Sequence, residues 1–258
     1  MNPFNQQAAI PGVRKIIAVG SGKGGVGKST VAANLAVALK NAGHKVGLLD
    51  ADIYGPSVPR LFGALRQRPD IDSSQKIAPI VRHGIKLMSM GFMIDEEMAV
   101  VWRGPMLFKA MEQFFRDVAW GELDYLIIDL PPGTGDIALT MAQKVPVDQA
   151  IVVCTPQNMA LTDAKKAIAM FEQIHIPVLG LVENMAYFQP AGGDRIQLYP
   201  PGELNAYLDM RKMKKLAQIP FDPQLSLACE AGIPAVDSQP NSPEAQAFNQ
   251  LAELVAKN

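Results

Sequence analysis

The chain has 258 residues, 48% of them hydrophobic and 19% charged, with aromatics at only 7%, which excludes a disordered chain or a coiled coil and supplies enough apolar surface for a substantial core. Lys+Arg 24 against Asp+Glu 25 leave a formal net charge of -1, so the basic excess of a protein that wraps nucleic acid is absent and nucleic acid is not an expected partner. No apolar run reaches the roughly 18 to 20 residues of a membrane span, and the polar opening at 1–7 lacks the charged-then-apolar order of a secretory leader, so a cytoplasmic protein with no membrane contact is expected.

Taken in chain order, short β-branched runs alternate with amphipathic stretches. The spacing predicts strands at 15–20, 45–49, 85–90, 125–129, 149–155 and 178–182, each closed by Gly, Pro, Asp or Asn. Helices are expected at 28–42, 105–119, 161–174 and 245–257, the second opening on Pro105, whose missing N–H costs nothing in a first turn. Near-continuous apolar strands separated by helices imply an α/β fold, with a mostly parallel twisted sheet covered by helices on both faces. With no linker or repeat, residues 1–258 read as a single domain with a flexible N-terminus at 1–12. The stretch 187–210, rich in Gly, Pro and polar residues, is long for a structureless loop and reads as a variable, functional insertion.

The strongest chemical signal lies between the first strand and the first helix. Gly22-Lys23-Gly24-Gly25-Val26-Gly27-Lys28-Ser29 satisfies G-x-x-x-x-G-K-[ST] in the strand–loop–helix context that a P-loop NTPase requires. Gly22, Gly24, Gly25, Val26 and Gly27 would turn successive backbone N–H groups toward an anion, and the following helix adds its positive end. Lys28 would reach the β- and γ-phosphates of ATP, Ser29 would ligate Mg²⁺, and Thr30 completes the nucleotide-binding set.

Two further strand ends carry acids. Asp50 and Asp52 follow the second strand, at the crevice where open α/β sheets bind ligands; their plainer reading is that both cap a turn. Asp129 ends the apolar run 125–129, the form of an acid that holds Mg²⁺ in a P-loop site. Pro131-Pro132-Gly133-Thr134-Gly135-Asp136 follows at once, and Gly135 would let the backbone approach the γ-phosphate, so that hydrolysis releases the loop.

Lys23, inside Lys23-Gly24-Gly25-Val26-Gly27-Lys28, resembles the second, deviant lysine of the ParA/MinD class of P-loop ATPases. Within that class, the segments 50–57, 102–106, 131–136, 155–157 and 183–185 resemble the Mrp/ApbC subfamily, a likeness that runs from about 13 to 236. The resemblance implies a homodimer with ATP sandwiched at its interface. Lys23 would neutralise phosphate charge on the partner's ATP, Asp52 would orient or deprotonate the attacking water, and Asp50 would lie near the Mg²⁺ shell. Asn184 would read the nucleotide base, with Pro220 and Phe221 beside it. It also implies an ATPase that serves iron–sulfur or related metal-cofactor assembly.

The chain departs from that subfamily at one point. Directly after Asn184-Met185-Ala186-Tyr187-Phe188, a C-x-x-C pair is expected; Gln189-Pro190-Ala191-Gly192 stands there instead, and neither Gln nor Gly replaces a thiolate. Cys154 in a strand and Cys229 on a late helix are the only cysteines, so no stable iron–sulfur cluster of the chain's own is expected. A metal-maturation role would then act on a protein client through residues 187–215, whose basic cluster 212–215 reads otherwise as a solvated helix face. The methionines between 88 and 111 read as core or dimer filling, and the three histidines as dispersed. A slow, switch-type ATP hydrolase that assists metal-cofactor maturation is the expected function. The alternatives are a ParA/MinD-like spatial organiser and a nucleotide-switched adaptor without metal delivery.

Overall fold

A computed structural model describes residues 9–53, 55–93, 104–135, 139, 147–190, 193–200 and 202–258. Its strands are β1 (Val13–Gly20), β2 (Val46–Asp50), β3 (Ile80–Arg82), β4 (Ile85–Ser89), β5 (Leu123–Asp129), β6 (Gln149–Cys154), β7 (Val178–Glu183) and β8 (Lys215–Gln218). They form one sheet in the order β3-β4-β2-β5-β1-β6-β7-β8. Every pairing is parallel except β3 with β4.

Both sheet faces are covered, which is why the central strands are apolar on every residue rather than on alternate ones. Ile16, Ala18, Leu49 and Ile128 point into a core shared with α3 (Gly104–Arg116) and α4 (Asn158–Gln173), through Phe114, Phe115, Ile168 and Phe171. Their neighbours Ile17, Val19, Leu48 and Ile127 point the other way, against α1 (Lys28–Asn41) and α8 (Pro243–Ala256). α1 is sandwiched between the sheet and α8, whose Phe248 and Leu251 are fully buried; burying each contributes roughly 1.5–3 kcal/mol. That position explains an α1 that is apolar nearly all round and whose one mid-helix amide, Asn34, is satisfied at both ends: Nδ2 donates to Thr30 O at 2.9 Å and Oδ1 accepts Val236 N–H at 3.1 Å.

Several elements differ from the sequence reading. α4 begins at Asn158 rather than 161 and α3 ends at Arg116. The stretch 187–210 is not irregular throughout: Phe188 and Ile196 form an isolated antiparallel bridge, and Leu204–Arg211 is a helix, α5. The basic cluster 212–215 is not a helix face. Lys212 adopts a left-handed conformation (φ 52) that ends α5, and Lys215 opens β8, where its Nζ lies 2.7 Å from Glu183 Oε2. The late helix expected around Cys229 is α6 (Pro223–Glu230), while α2 (Val58–Leu61) and α7 (Ala235–Ser238) carried too little periodicity to be read. Met88, Met90 and Met111 are core and Met93 is exposed. Most of the expected flexible N-terminus (1–8), Tyr54, Met98, Trp102, Arg103, Asp136, Ala191 and Gly192 lie outside the described residues.

Candidate functional site

β2, β5 and β1 lie side by side, with Asp129 opposite both Val19 and Asp50 in register, so the loops that leave their C-terminal ends share one crevice. It is the edge at which open α/β sheets bind ligands. The loop after β1 is tied to the loop after β5 by Gly133 N–H donating to Ser21 O at 2.9 Å, which joins the phosphate-loop sequence to the 131–135 segment.

Local chemistry dictates the shape of the first loop. Gly27 sits at φ 82 as the residue before α1, and no side chain caps that helix, so its first N–H groups face the crevice as an anion site. A Cβ at Gly27 would also stand 2.2 Å from Asn184 Nδ2. Asn184 Nδ2 donates to Val26 O at 2.9 Å, which pins the loop to the end of β7. Gly22 serves close approach on the other side, where a Cβ would fall 1.9 Å from the Asp163 carbonyl oxygen of α4.

Lys28 is 6% exposed and its Nζ lies 2.5 Å from Asp129 Oδ1, 3.4 Å from Ser29 Oγ and 4.0 Å from Asp52 Oδ2. The second oxygen of Asp129 is buried with no hydrogen-bond partner in the protein. Such an orphan costs free energy unless a ligand satisfies it, and a carboxylate beside the Ser29 hydroxyl is a hard-oxygen donor set that suits Mg²⁺. The two residues therefore fit the metal that the motif implies.

Asp50 is fully buried, and burial, with Asp129 beside it, pushes its carboxyl up to about 7. Its oxygens are engaged within the protein: Oδ1 accepts Asp52 N–H at 3.1 Å, and Oδ2 accepts Val58 N–H at 3.0 Å and the Ser89 hydroxyl at 3.1 Å. It lies behind the cleft wall rather than on it, as a brace for the loop that carries Asp52.

The cleft itself has a volume of about 510 Å³, within the range of small-molecule sites. Lys23, Gly24, Gly25, Gly27, Lys28, Ser29, Thr30 and Asp52 line it. Asn184, Pro220 and Phe221 line it too, so residues more than 150 positions apart in sequence meet in one space. Gly22, Val26, Asp129 and Gly135 do not line the cleft, whereas Pro132 does.

Sequence reasoning missed the wall contributed by α2 and α6. Arg60 and Glu230 pair across it at 3.3 Å, and Cys229 lines it, its thiol pushed up chiefly by burial. The signal available was Asp222-Pro223, an N-cap followed by Pro at the first helical position; the Asp222 side chain does accept Gln224 N–H at 2.9 Å. Cys154 is elsewhere, buried on β6, where desolvation first and Glu183 second push its thiol up to about 12. Near the altered C-x-x-C position, Gln189 Nε2 donates to Gly193 O at 3.4 Å and Arg195 lies over the Tyr187 ring at 4.3 Å. Among the described residues no group of three or more His, Cys, Asp or Glu is disposed to hold a metal ion.

Known proteins resemble this arrangement closely. Residues 12–256 match the family model described as ParA: NUBPL iron-transfer P-loop NTPase. The iron-sulfur cluster carrier protein of Aquifex aeolicus is 49% identical over 257 residues, spanning 99% of this chain and 71% of the relative. Its namesake in Escherichia coli K12 is 47% identical over 251 residues, spanning 97% and 68%. A solved nucleotide-binding protein from Archaeoglobus fulgidus, in complex with ADP, superposes with a TM-score of 0.75 at 43% identity, over 85% of this chain and 87% of its own. The cell division ATPase MinD of Pyrococcus furiosus superposes with a TM-score of 0.69 at 29% identity, over 94% and 98%.

Proposed function

Because the chain belongs to the ParA-type, NUBPL iron-transfer family of P-loop NTPases, we propose that it binds and slowly hydrolyses Mg-ATP as a homodimer and uses that cycle in metal-cofactor maturation. The observation that carries the reading is that Lys28, Ser29 and Asp52 line one cleft, with Asp129 paired to Lys28 at 2.5 Å. Lys28 and the N–H groups at the start of α1 hold the phosphates, and Asn184, Pro220 and Phe221 receive the base. Asp52 orients the attacking water and accepts its proton. Ser29 and Asp129 would hold Mg²⁺, which supplies charge neutralisation at the phosphates. Lys23, at the tip of a loop whose own phosphate lysine is Lys28, acts on the ATP of a second copy, completing the site only in the closed dimer.

The curated relatives named above are called iron-sulfur cluster carriers, and by that likeness an iron–sulfur cluster, or a related metal centre, is the cargo. This chain has no cysteine at 189–192, and its two thiols sit apart in function, Cys154 protonated within the sheet and Cys229 in the nucleotide cleft. We therefore infer that the chain carries no stable cluster alone and engages a metal-bearing client through residues 187–215, with the nucleotide state as the switch. Calorimetry with Mg-ATP tests the first part: absence of saturable binding would sink the ATPase reading. Anaerobic reconstitution with iron and sulfide, followed by visible absorbance and metal analysis, tests the second. A stoichiometric cluster lost in Cys229→Ser would restore an ordinary carrier.

A further inference from the structure

The loop between β2 and α2 carries Asp52, and one carboxylate pins both its ends: Asp50 accepts Asp52 N–H at 3.1 Å and Val58 N–H at 3.0 Å. The same Oδ2 that receives Val58 also accepts the hydroxyl of Ser89, the last residue of β4, at 3.1 Å. Ser89 Oγ in turn accepts Gly91 N–H at 3.0 Å, from the 3₁₀ turn Met90–Phe92. Asp50 and Ser89 are both 0% exposed, so no water substitutes for either bond. A second contact runs in parallel. A Cβ on Gly91 would lie 3.0 Å from Pro59 Cγ and 3.1 Å from Pro56 Cβ, so the turn abuts the loop directly as well as through the hydrogen-bond chain.

We propose that Ser89 is a positioning residue for ATP hydrolysis: through Asp50 it holds the loop that presents Asp52, and it makes the 90–92 turn part of the same rigid unit. The proposal rests on the reading of Asp52 as the water-orienting acid. Removing the hydroxyl strips Asp50 Oδ2 of one donor and leaves the half-buried Gly91 N–H without its acceptor, so the carboxylate that holds both Asp52 and Val58 loses part of its own anchor. The phosphate loop, which fixes nucleotide affinity, is anchored independently through Gly133 and Asn184. Turnover should therefore suffer while binding does not, the signature of a misplaced catalytic group rather than a damaged fold.

The test uses the full chain with Ser89→Ala, and Gly91→Ala as a second variant that disturbs the packing arm instead. Steady-state hydrolysis of Mg-ATP should show kcat reduced about tenfold or more with KM within about twofold of the parent. Hydrogen exchange should speed up in peptides covering 51–58 and stay unchanged in β6 and β7. Wild-type kcat in both variants, or unchanged exchange at 51–58, overturns the proposal. Should the parent protein itself turn over no ATP, the reading of Asp52 fails, while the exchange measurement still decides whether Ser89 holds the loop.

Discussion

Lys28 Nζ lies 2.5 Å from Asp129 Oδ1, so the ammonium that ATP phosphates require is also the counter-charge of a buried acid. Breaking such a pair from one side typically costs about 3–5 kcal/mol, because the remaining charge is stranded. Lys28→Ala should lower stability by that order in urea melts, and adding Asp129→Ala should recover part of the loss. Both proteins should bind ATP about 100-fold more weakly or worse, since each charge-assisted contact to a phosphate contributes roughly 1.5–3 kcal/mol. Strict additivity of the two stability losses would show that the pair is not coupled; unchanged ATP affinity would remove Lys28 from the phosphate site.

Asp52 lines the cleft, but its carboxylate is 4.0 Å from Lys28 and outside the phosphate loop. Asp52→Asn should therefore keep ATP affinity while turnover falls by roughly 10²- to 10⁴-fold, the usual contribution of a general base. Normal turnover in that variant would transfer the role to another residue.

Lys23 also lines the cleft, as Asp52 does. If it completes the site of a second copy, ATP added to an Asp52→Asn background should raise the molar mass seen by light scattering to that of a dimer, and the further change Lys23→Ala should abolish the shift. Turnover of Lys23→Ala alone should drop by up to about 10³-fold, as for a charge supplied in trans. Dimerisation and turnover equal to the parent would refute the trans role.

Which parts of this site were legible in the sequence follows from how local each signal is. Gly22 to Thr30 and Asp129 announce themselves because loop conformation, helix start and strand end are all encoded within a few residues. Lys28, Ser29, Asp52 and Asn184 all line the one cleft. Asp50 is different: the motif marks the position, but only the fold shows its oxygens bonded to Asp52 N–H, Val58 N–H and Ser89. Arg60, Cys229 and Ser89 were illegible, because each reaches the site through a tertiary contact with no short-range pattern. The antiparallel β3 and the short β8 escaped for a related reason, being three- and four-residue edge elements whose burial depends on neighbours far away in sequence.

The Asp50 carboxyl gives a pH signature whose sign is fixed. Its pKa is raised from 3.8 to about 7 by folding, so the native state binds more protons than the unfolded chain between those values. Stability must then fall as pH rises through that window and level off above it. Without nucleotide or Mg²⁺, the group should cost roughly 2 to 3 kcal/mol of stability between pH 5 and pH 8. Asp50→Asn should lack this component, so parent and variant should differ in slope when urea melts are compared at the two pH values. Parallel slopes would mean that Asp50 is ionised in the folded protein across the whole range.

The two cysteines provide a probe of the cleft that does not depend on hydrolysis. Cys154 is 1% exposed, with its thiol pushed up to about 12, and a thiol reagent attacks only the thiolate of an accessible group. It should stay unlabelled until the protein unfolds. Cys229 is half-buried on α6, and burial raises its pKa as well, so a maleimide at pH 8 should label it slowly but measurably. Because Cys229 lines the same cleft as Lys28 and Asn184, a bound nucleotide should stand between the thiol and the reagent. At Mg-ATP about 100 times its Kd, only about 1% of clefts remain free, and labelling should slow by up to roughly 100-fold. A labelling rate indifferent to saturating Mg-ATP would place the nucleotide somewhere other than the space bounded by α6.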